Sequence, residues 1–146
     1  MPEAYIIDAV RTPIGRKKGG LAHLHPADLG AHPIKALVGR TGIDAGAVDD
    51  VVWGCCDTIG PQAGDIGRTA WLVAGLPQHV PGTTIDRQCG SSQQAIHFAA
   101  QGVMGDLVSE MTGSPNYGKF IGFPIKALGL TGLSILFLMA ATSHDF

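Results

Sequence analysis

The sequence predicts an α/β domain with a mixed, largely parallel sheet, and two observations carry that prediction. Short apolar runs of strand character alternate with longer runs of helical periodicity, in the order strand, helix, strand, helix, strand, helix. Parallel strands joined by right-handed helical crossovers produce this pattern. The chain also has 146 residues, 45% hydrophobic and only 15% charged, enough apolar mass for one domain with a real core and too much for a disordered chain.

The first strand is expected over Ala4 to Val10, where Tyr5, Ile6, Ile7 and Val10 put apolar groups on both faces, as a buried strand does. Arg11 to Gly20, with Pro13, Gly15, Gly19 and Gly20, reads as a loop. A helix follows over Pro26 to Arg40, with Leu29, Ala36 and Leu37 at helical spacing, Asp28 in its first turn and Gly42 just past its end. Pro33 lies inside that helix and is expected to kink or interrupt it, at roughly 3 kcal/mol if unrelieved. Val48 to Cys56 holds a second strand around Val51, Val52 and Trp53. Gly54, Gly60, Pro61 and Gly64 open a loop into a helix from about Asp65 to Ala74, which Gly75 and Pro77 end. A third strand, about Gly82 to Asp86, runs into a helix over Ser91 to Met104. Sites in such sheets gather at the carboxyl ends of strands.

Composition excludes several classes. A formal charge of −2 gives no general footprint for nucleic acid. The basic cluster Arg11, Arg16, Lys17 and Lys18 is short and reads as a solvated loop, at best a local anion site. Three cysteines, two of them adjacent, make neither a disulfide framework nor a structural zinc motif, and a reducing compartment fits them best. Met1 to Asp8 has no apolar secretory core, so no signal peptide is expected and the cytoplasm is the default location.

Cys89 is the candidate catalytic residue. It falls where the third strand gives way, through Asp86, Arg87 and Gln88, to the last helix. A thiol at a helix's first turn meets unpaired N–H groups and the positive end of the helix dipole, and both favour the nucleophilic thiolate. Gly90, Ser91 and Ser92 leave room for a carbonyl to approach, and Ile96, Ala99, Ala100 and Val103 give the helix an apolar face to fix it to a core. A buried structural thiol is the competing reading for any lone cysteine.

Three segments carry a resemblance to a known family: Asp8-Ala9-Val10-Arg11-Thr12-Pro13-Ile14-Gly15; the Gly54 to Ala74 stretch with Gly67-Arg68; and Thr84-Ile85-Asp86-Arg87-Gln88-Cys89-Gly90-Ser91-Ser92-Gln93-Gln94-Ala95-Ile96. Together, over about residues 4–104, the chain resembles the N-terminal part of a thiolase, the acetyl-CoA acyltransferase family. The resemblance implies an incomplete thiolase-like layered fold. It also implies a role for Cys89: taking an acyl group from acyl-CoA as a thioester, then passing it to CoA or to a second acetyl-CoA. A coenzyme A thioester is then the substrate, no cofactor is held tightly, and the setting is fatty acid metabolism. Family thiolases often carry glycine where this chain has Ser92.

The same resemblance points to groups that these 146 residues lack: a histidine in a Gly-His-Pro motif, an Asn-Glu-Ala-Phe type motif that helps build an oxyanion hole, and a second cysteine in a Cys-x-Gly motif. Ala31-His32-Pro33 is only superficially like the first, and Cys55 and Cys56 are read as packing at a strand end. His23 and His25 form a His-x-His pair without an evident third ligand, so no metal site is expected. His79 follows Pro77 in a turn, and His144 lies in the last few residues. His97 is eight residues beyond Cys89, about 12 Å along a helix axis, too far for a base.

After Met104 the pattern changes, and the chain divides into a partial thiolase N-terminal domain, 1–104, and a divergent hydrophobic tail, 105–146. Ala127 to Ser143 carries no charge, near the lower limit of a bilayer span of about 17 to 25 residues. A buried helix or helix-strand pair, a marginal membrane anchor, and an extension from a frameshift, truncation or alternative junction all fit it. Such a tail on an incomplete sheet also invites self-association. Two functional readings follow. One is a thiolase-type acyltransferase, inactive as this chain alone. The other is a non-catalytic interaction module, or a broken gene product, that pairs with a full-length thiolase or with itself.

Overall fold

The structure of the chain, a computed structural model, describes residues 4–105, 120–124 and 135–140. Five strands form one sheet: β1 (Tyr5–Arg11), β2 (Asp50–Gly54), β3 (Gly82–Ile85), β4 (Phe120–Pro124) and β5 (Ile135–Ala140). Their order is β1-β5-β4-β2-β3. β2 pairs in parallel with both β3 and β4, and β5 runs antiparallel to its neighbours β4 and β1. Four strands therefore point one way and β5 alone opposes them, which is the mixed, largely parallel sheet that the sequence predicts. The hydrophobic tail supplies two of the five strands. Residues 135–140 of its uncharged stretch are strand, and the rest of 127–143, with His144, lies outside the described residues. Among the described residues no helix is long and apolar enough to cross a membrane.

Among the described residues three α-helices cover the sheet: α1 (Pro26–Thr41), α2 (Ile66–Val73) and α3 (Ser91–Gly105). Their ends are set by local chemistry. The side chain of His25 caps α1 by accepting the Ala27 N–H at 3.2 Å, and Pro26 follows at the position that needs no donor. Gly42, at φ 66°, closes the helix with its N–H on the Val38 carbonyl. Asp65 caps α2 through the Arg68 N–H, and Gly75, at φ 76°, follows its end. Pro33 does not interrupt α1 as expected from its missing donor. Its ring is buried with Ala27, Gly30, Ala31, Ile34 and Leu37 on the core face, and that burial offsets the lost hydrogen bond.

Alternation along β2 divides the core into two layers. Val51, Trp53 and Cys55 join Ile34, Leu37, Ala70, Trp71 and Val80 in the layer of α1 and α2. Val52 points the other way, to Ala95 and Ala99 of α3. Both tryptophans are fully buried, and Trp71 Nε1 donates to the Pro77 carbonyl at 2.8 Å. Gly67 explains part of the Gly-Arg motif: a Cβ there would stand 2.4 Å from Trp53 Cβ, so only glycine lets α2 lie this close to β2. Arg68 explains the rest, since its guanidinium donates to the carbonyls of Val80 and Gln78 and holds the turn that feeds β3. β1 departs from expectation. Tyr5, Ile6 and Ile7 are 46%, 56% and 52% exposed rather than buried, because among the described residues β1 is the sheet's outermost strand and pairs on one side only.

Candidate active site

The carboxyl ends of β2 and β3 lie side by side, and the Cys55 N–H extends their ladder by donating to the Ile85 carbonyl at 3.0 Å. The chain then turns through Asp86, Arg87 and a 3₁₀ turn, Gln88–Gly90, directly into α3. Cys89 is the middle residue of that turn and is exposed. The sequence places it in the helix's first turn; in the structure it stands in the tighter turn immediately before α3.

The turn has an unusual backbone. Gln88, just before the cysteine, has φ 47°, and only one other described non-glycine residue, Lys18, has a positive φ. A left-handed glutamine is disfavoured by its Cβ, so its neighbours must hold it. Asp86 Oδ1 accepts both the backbone N–H of Gln88 at 2.9 Å and its side-chain amide at 3.1 Å. Ser91, 2% exposed, closes the other side: its hydroxyl donates to the Gln88 carbonyl at 2.8 Å and accepts the Arg87 N–H at 2.9 Å. Gly90 N–H bonds the Arg87 carbonyl at 3.0 Å, and the Arg87 guanidinium reaches Gln94 Oε1 on α3.

Gly54 supports this turn from below. A Cβ on it would lie 2.5 Å from both Cα and N of Ser92 and 2.6 Å from the Ser91 carbonyl carbon. Glycine at the end of β2 thus lets the start of α3 sit directly on the strand. Sequence reasoning read Gly54 only as a loop opener and Ser91 only as a small side chain, and it gave Asp86 no role. The signal was the familiar preference of Asp and Ser for bonding backbone two to four residues away in turns.

The other candidate groups lie elsewhere. Cys55 is 1% exposed in the core, and burial above all pushes its thiol up, with the Asp57 backbone hydrogen bond opposing. Cys56 is half-buried. His32 is exposed on α1, in the layer opposite α3, and His23 is exposed in the loop before it. His25 is engaged as the cap of α1. His79 bonds the Gly46 carbonyl at 3.0 Å, before the amino end of β3. His97 is exposed two turns along α3. Among the described residues no three His, Cys, Asp or Glu side chains are grouped to hold a metal. An exposed thiol on a rigid strand-to-helix corner can attack a carbonyl that reaches it from solvent.

Comparison with known proteins agrees with the local motifs. Residues 4–110 match the family described as thiolase, N-terminal domain. A steroid 3-ketoacyl-CoA thiolase of Mycobacterium tuberculosis is 62% identical over 104 residues, which cover 71% of this chain and 26% of that protein. A 3-ketoacyl-CoA thiolase of Yersinia pestis is 44% identical over 153 residues, covering 92% of this chain and 39% of that protein. The crystal structure of the Bacillus anthracis acetyl-CoA acetyltransferase superposes with a TM-score of 0.71 at 32% identity, over 87% of this chain and 30% of that one. The chain thus spans about a quarter to two-fifths of the length of these relatives. By this match over most of its length, the chain belongs to the thiolase family through that family's N-terminal domain.

Proposed function

We propose that this chain is the nucleophile-bearing part of a thiolase-type acyltransferase, with Cys89 as its catalytic residue. The Cys89 thiolate adds to the carbonyl carbon of a coenzyme A thioester. A new carbon–sulfur bond forms, the bond to CoA breaks, and CoA leaves as a thiol, carrying the proton given up by Cys89. The thiol sulfur of CoA, or the methyl carbon of a second acetyl-CoA, then bonds to that acyl carbon; the bond to Cys89 breaks, and the proton lost by the incoming group is returned to the Cys89 thiolate. The observation that carries this reading is the exposed thiol on the clasped turn between β3 and α3. The relatives' names, 3-ketoacyl-CoA thiolases among them, support a CoA thioester as substrate.

No described histidine lies on the Cys89 turn, so a histidine base for Cys89 has to come from outside it. Loss of such a group lowers acyl-transfer rates by several orders of magnitude, and the chain alone is expected to acylate slowly or not to turn over. We keep 1–104 as a partial thiolase domain and 105–146 as a divergent tail that donates β4 and β5. A cytoplasmic location and association with itself or with a full-length thiolase belong to the same reading.

A second reading, a non-catalytic interaction module, is favoured by apolar side chains on the surface, with Ile6 56% and Phe98 46% exposed. Intact-mass spectrometry after incubation with acetyl-CoA or acetoacetyl-CoA separates the two. An acyl-sized gain that disappears in Cys89→Ala supports the enzyme reading. No adduct on folded protein, with the chain co-purifying with a full-length thiolase, supports the module.

A further inference from the structure

We propose that Asp86 is a positioning residue for Cys89: its carboxylate holds Gln88 in the left-handed conformation, and that conformation presents the thiol at the head of α3. The proposal rests on Cys89 being the nucleophile, but it concerns the reactivity of the thiol itself, so it can be tested without any acyl transfer.

Three observations carry it. Gln88 is left-handed at φ 47°, although it is not a residue that favours this region. Asp86 Oδ1 engages that residue twice, at the backbone N–H and at the side-chain amide, at 2.9 and 3.1 Å. Both residues are exposed, so neither is held in place by core packing, and the hydrogen bonds must supply the bias. Sparsely populated backbone conformations persist only where their surroundings over-determine them, and they cluster at sites of function. Ser91 fixes the carbonyl side of Gln88 and Asp86 fixes the amide side, so the peptide groups leading into Cys89 are held at both ends. Removing Asp86 releases Gln88 towards the right-handed or extended regions and rotates the peptide that precedes Cys89.

The role requires the acceptor oxygen and not the charge, and two substitutions separate them: one removes the charge and keeps an acceptor, the other removes the acceptor. Asp86→Asn keeps an acceptor oxygen and is expected to label at Cys89 at least as fast as wild type. Asp86→Ala is expected to label about tenfold more slowly, because the displaced turn no longer presents the sulfur to the reagent. A second change tests the backbone directly. Glycine adopts positive φ freely, so Gln88→Gly in the Asp86→Ala background should restore most of the rate. Gln88→Val, at an exposed position where the side chain meets no core, should reproduce the Asp86→Ala loss, because a β-branched residue resists positive φ.

The experiment is the second-order rate of iodoacetamide labelling at Cys89 in the full chain at neutral pH, read by peptide mass spectrometry, with Cys55 and Cys56 as internal references and far-UV circular dichroism as the folding check. The slowing in Asp86→Ala, its rescue by Gln88→Gly and the matching loss in Gln88→Val are the expected results. Cys89 labelling at the wild-type rate in Asp86→Ala, or no rescue by glycine, overturns the proposal. If Asp86→Ala fails to fold, wild-type labelling in Gln88→Val overturns it alone. Absence of any acyl adduct on Cys89 of the folded chain, with these labelling results intact, would count against the enzyme reading and leave the positioning role standing.

Discussion

Gly54→Ala tests whether the seat of α3 on β2 fixes the site. The added Cβ would stand 2.5 Å from Ser92 Cα and N, where contact as ordinary van der Waals neighbours begins at 3.4 Å. The deficit, 3.4 − 2.5, is about 0.9 Å, and the opposing atoms are backbone rather than a side chain that can swing aside. Either the start of α3 lifts or the end of β2 bends. Overpacking of this kind costs about 1–3 kcal/mol, and with a urea dependence of about 2 kcal/mol per M a loss of ~2 kcal/mol lowers the unfolding midpoint by about 1 M. Cys89 sits three residues before Ser92, and misplacement by about 1 Å can cost on the order of a hundredfold in rate. Urea unfolding and iodoacetamide labelling of Cys89 read the two effects. Gly20→Ala is the control, because nothing lies within 4 Å of a Cβ there, and it should stay within about 0.5 kcal/mol of wild type. A Gly54→Ala protein as stable as that control, with Cys89 labelling unchanged, would refute the close-approach argument.

Gly67→Ala should lose about 1–3 kcal/mol, since its Cβ would meet the Cβ of buried Trp53 at 2.4 Å; Gly39→Ala, in α1 with open space around it, should gain about 0.5–1 kcal/mol from helix propensity, and the same urea titration reads both. Ser92 Oγ is buried without a hydrogen-bond partner among the described residues, so Ser92→Ala should stabilise by about 1 kcal/mol; a destabilised variant would mean that the hydroxyl is satisfied in solution. Asp50 offers a pH test. Burial first, then the charges of Asp65 and Asp49, raise its carboxyl above 3.8 against the opposing Val51 backbone hydrogen bond. A raised acid binds its proton more tightly in the native state, so its contribution is fully present below the unfolded value and is lost as pH rises through the native one. Asp50→Asn should therefore remove part of the stability lost between acid and neutral pH, and parallel wild-type and variant curves over that window would contradict the assignment.

The elements were legible because their signals are local. Gly42, Asp65 and Gly75 mark helix ends in sequence and do so in the structure, and Trp53 and Val52 announce a strand buried on both faces. Three things were not legible. The penalty of Pro33 could not be weighed without knowing that its ring reaches the core. The exposure of Ile6 and Ile7 depends on β1 being outermost, and that follows from β4 and β5 entering between β1 and β2, a long-range outcome with no local pattern. The position of Cys89 at a strand-to-helix corner could be read from sequence, but the left-handed turn before it could not. Glutamine does not signal positive φ, and the restraint lies in side-chain bonds from Asp86 and Ser91.

Most of the hydrogen-bond restraint on the Cys89 turn comes from a short span. The hydrogen bonds of the clasp join residues no more than four apart, and the long-range support comes from Gly54 at the end of β2. β1 contributes none of them. Presentation of the thiol can therefore be complete without β1, whereas the proton-transfer groups of an acyltransferase need not share the elements that hold the turn. That separation has a kinetic consequence. If presentation is local, substitutions in β1 such as Ile6→Thr should alter unfolding midpoints while leaving Cys89 labelling within about twofold of wild type wherever the protein is folded, since distant, unconnected sites act nearly independently. A folded β1 variant with strongly slowed labelling would show that the sheet's far edge sets the geometry of the turn, and the local account of how the Cys89 thiol is presented would fail.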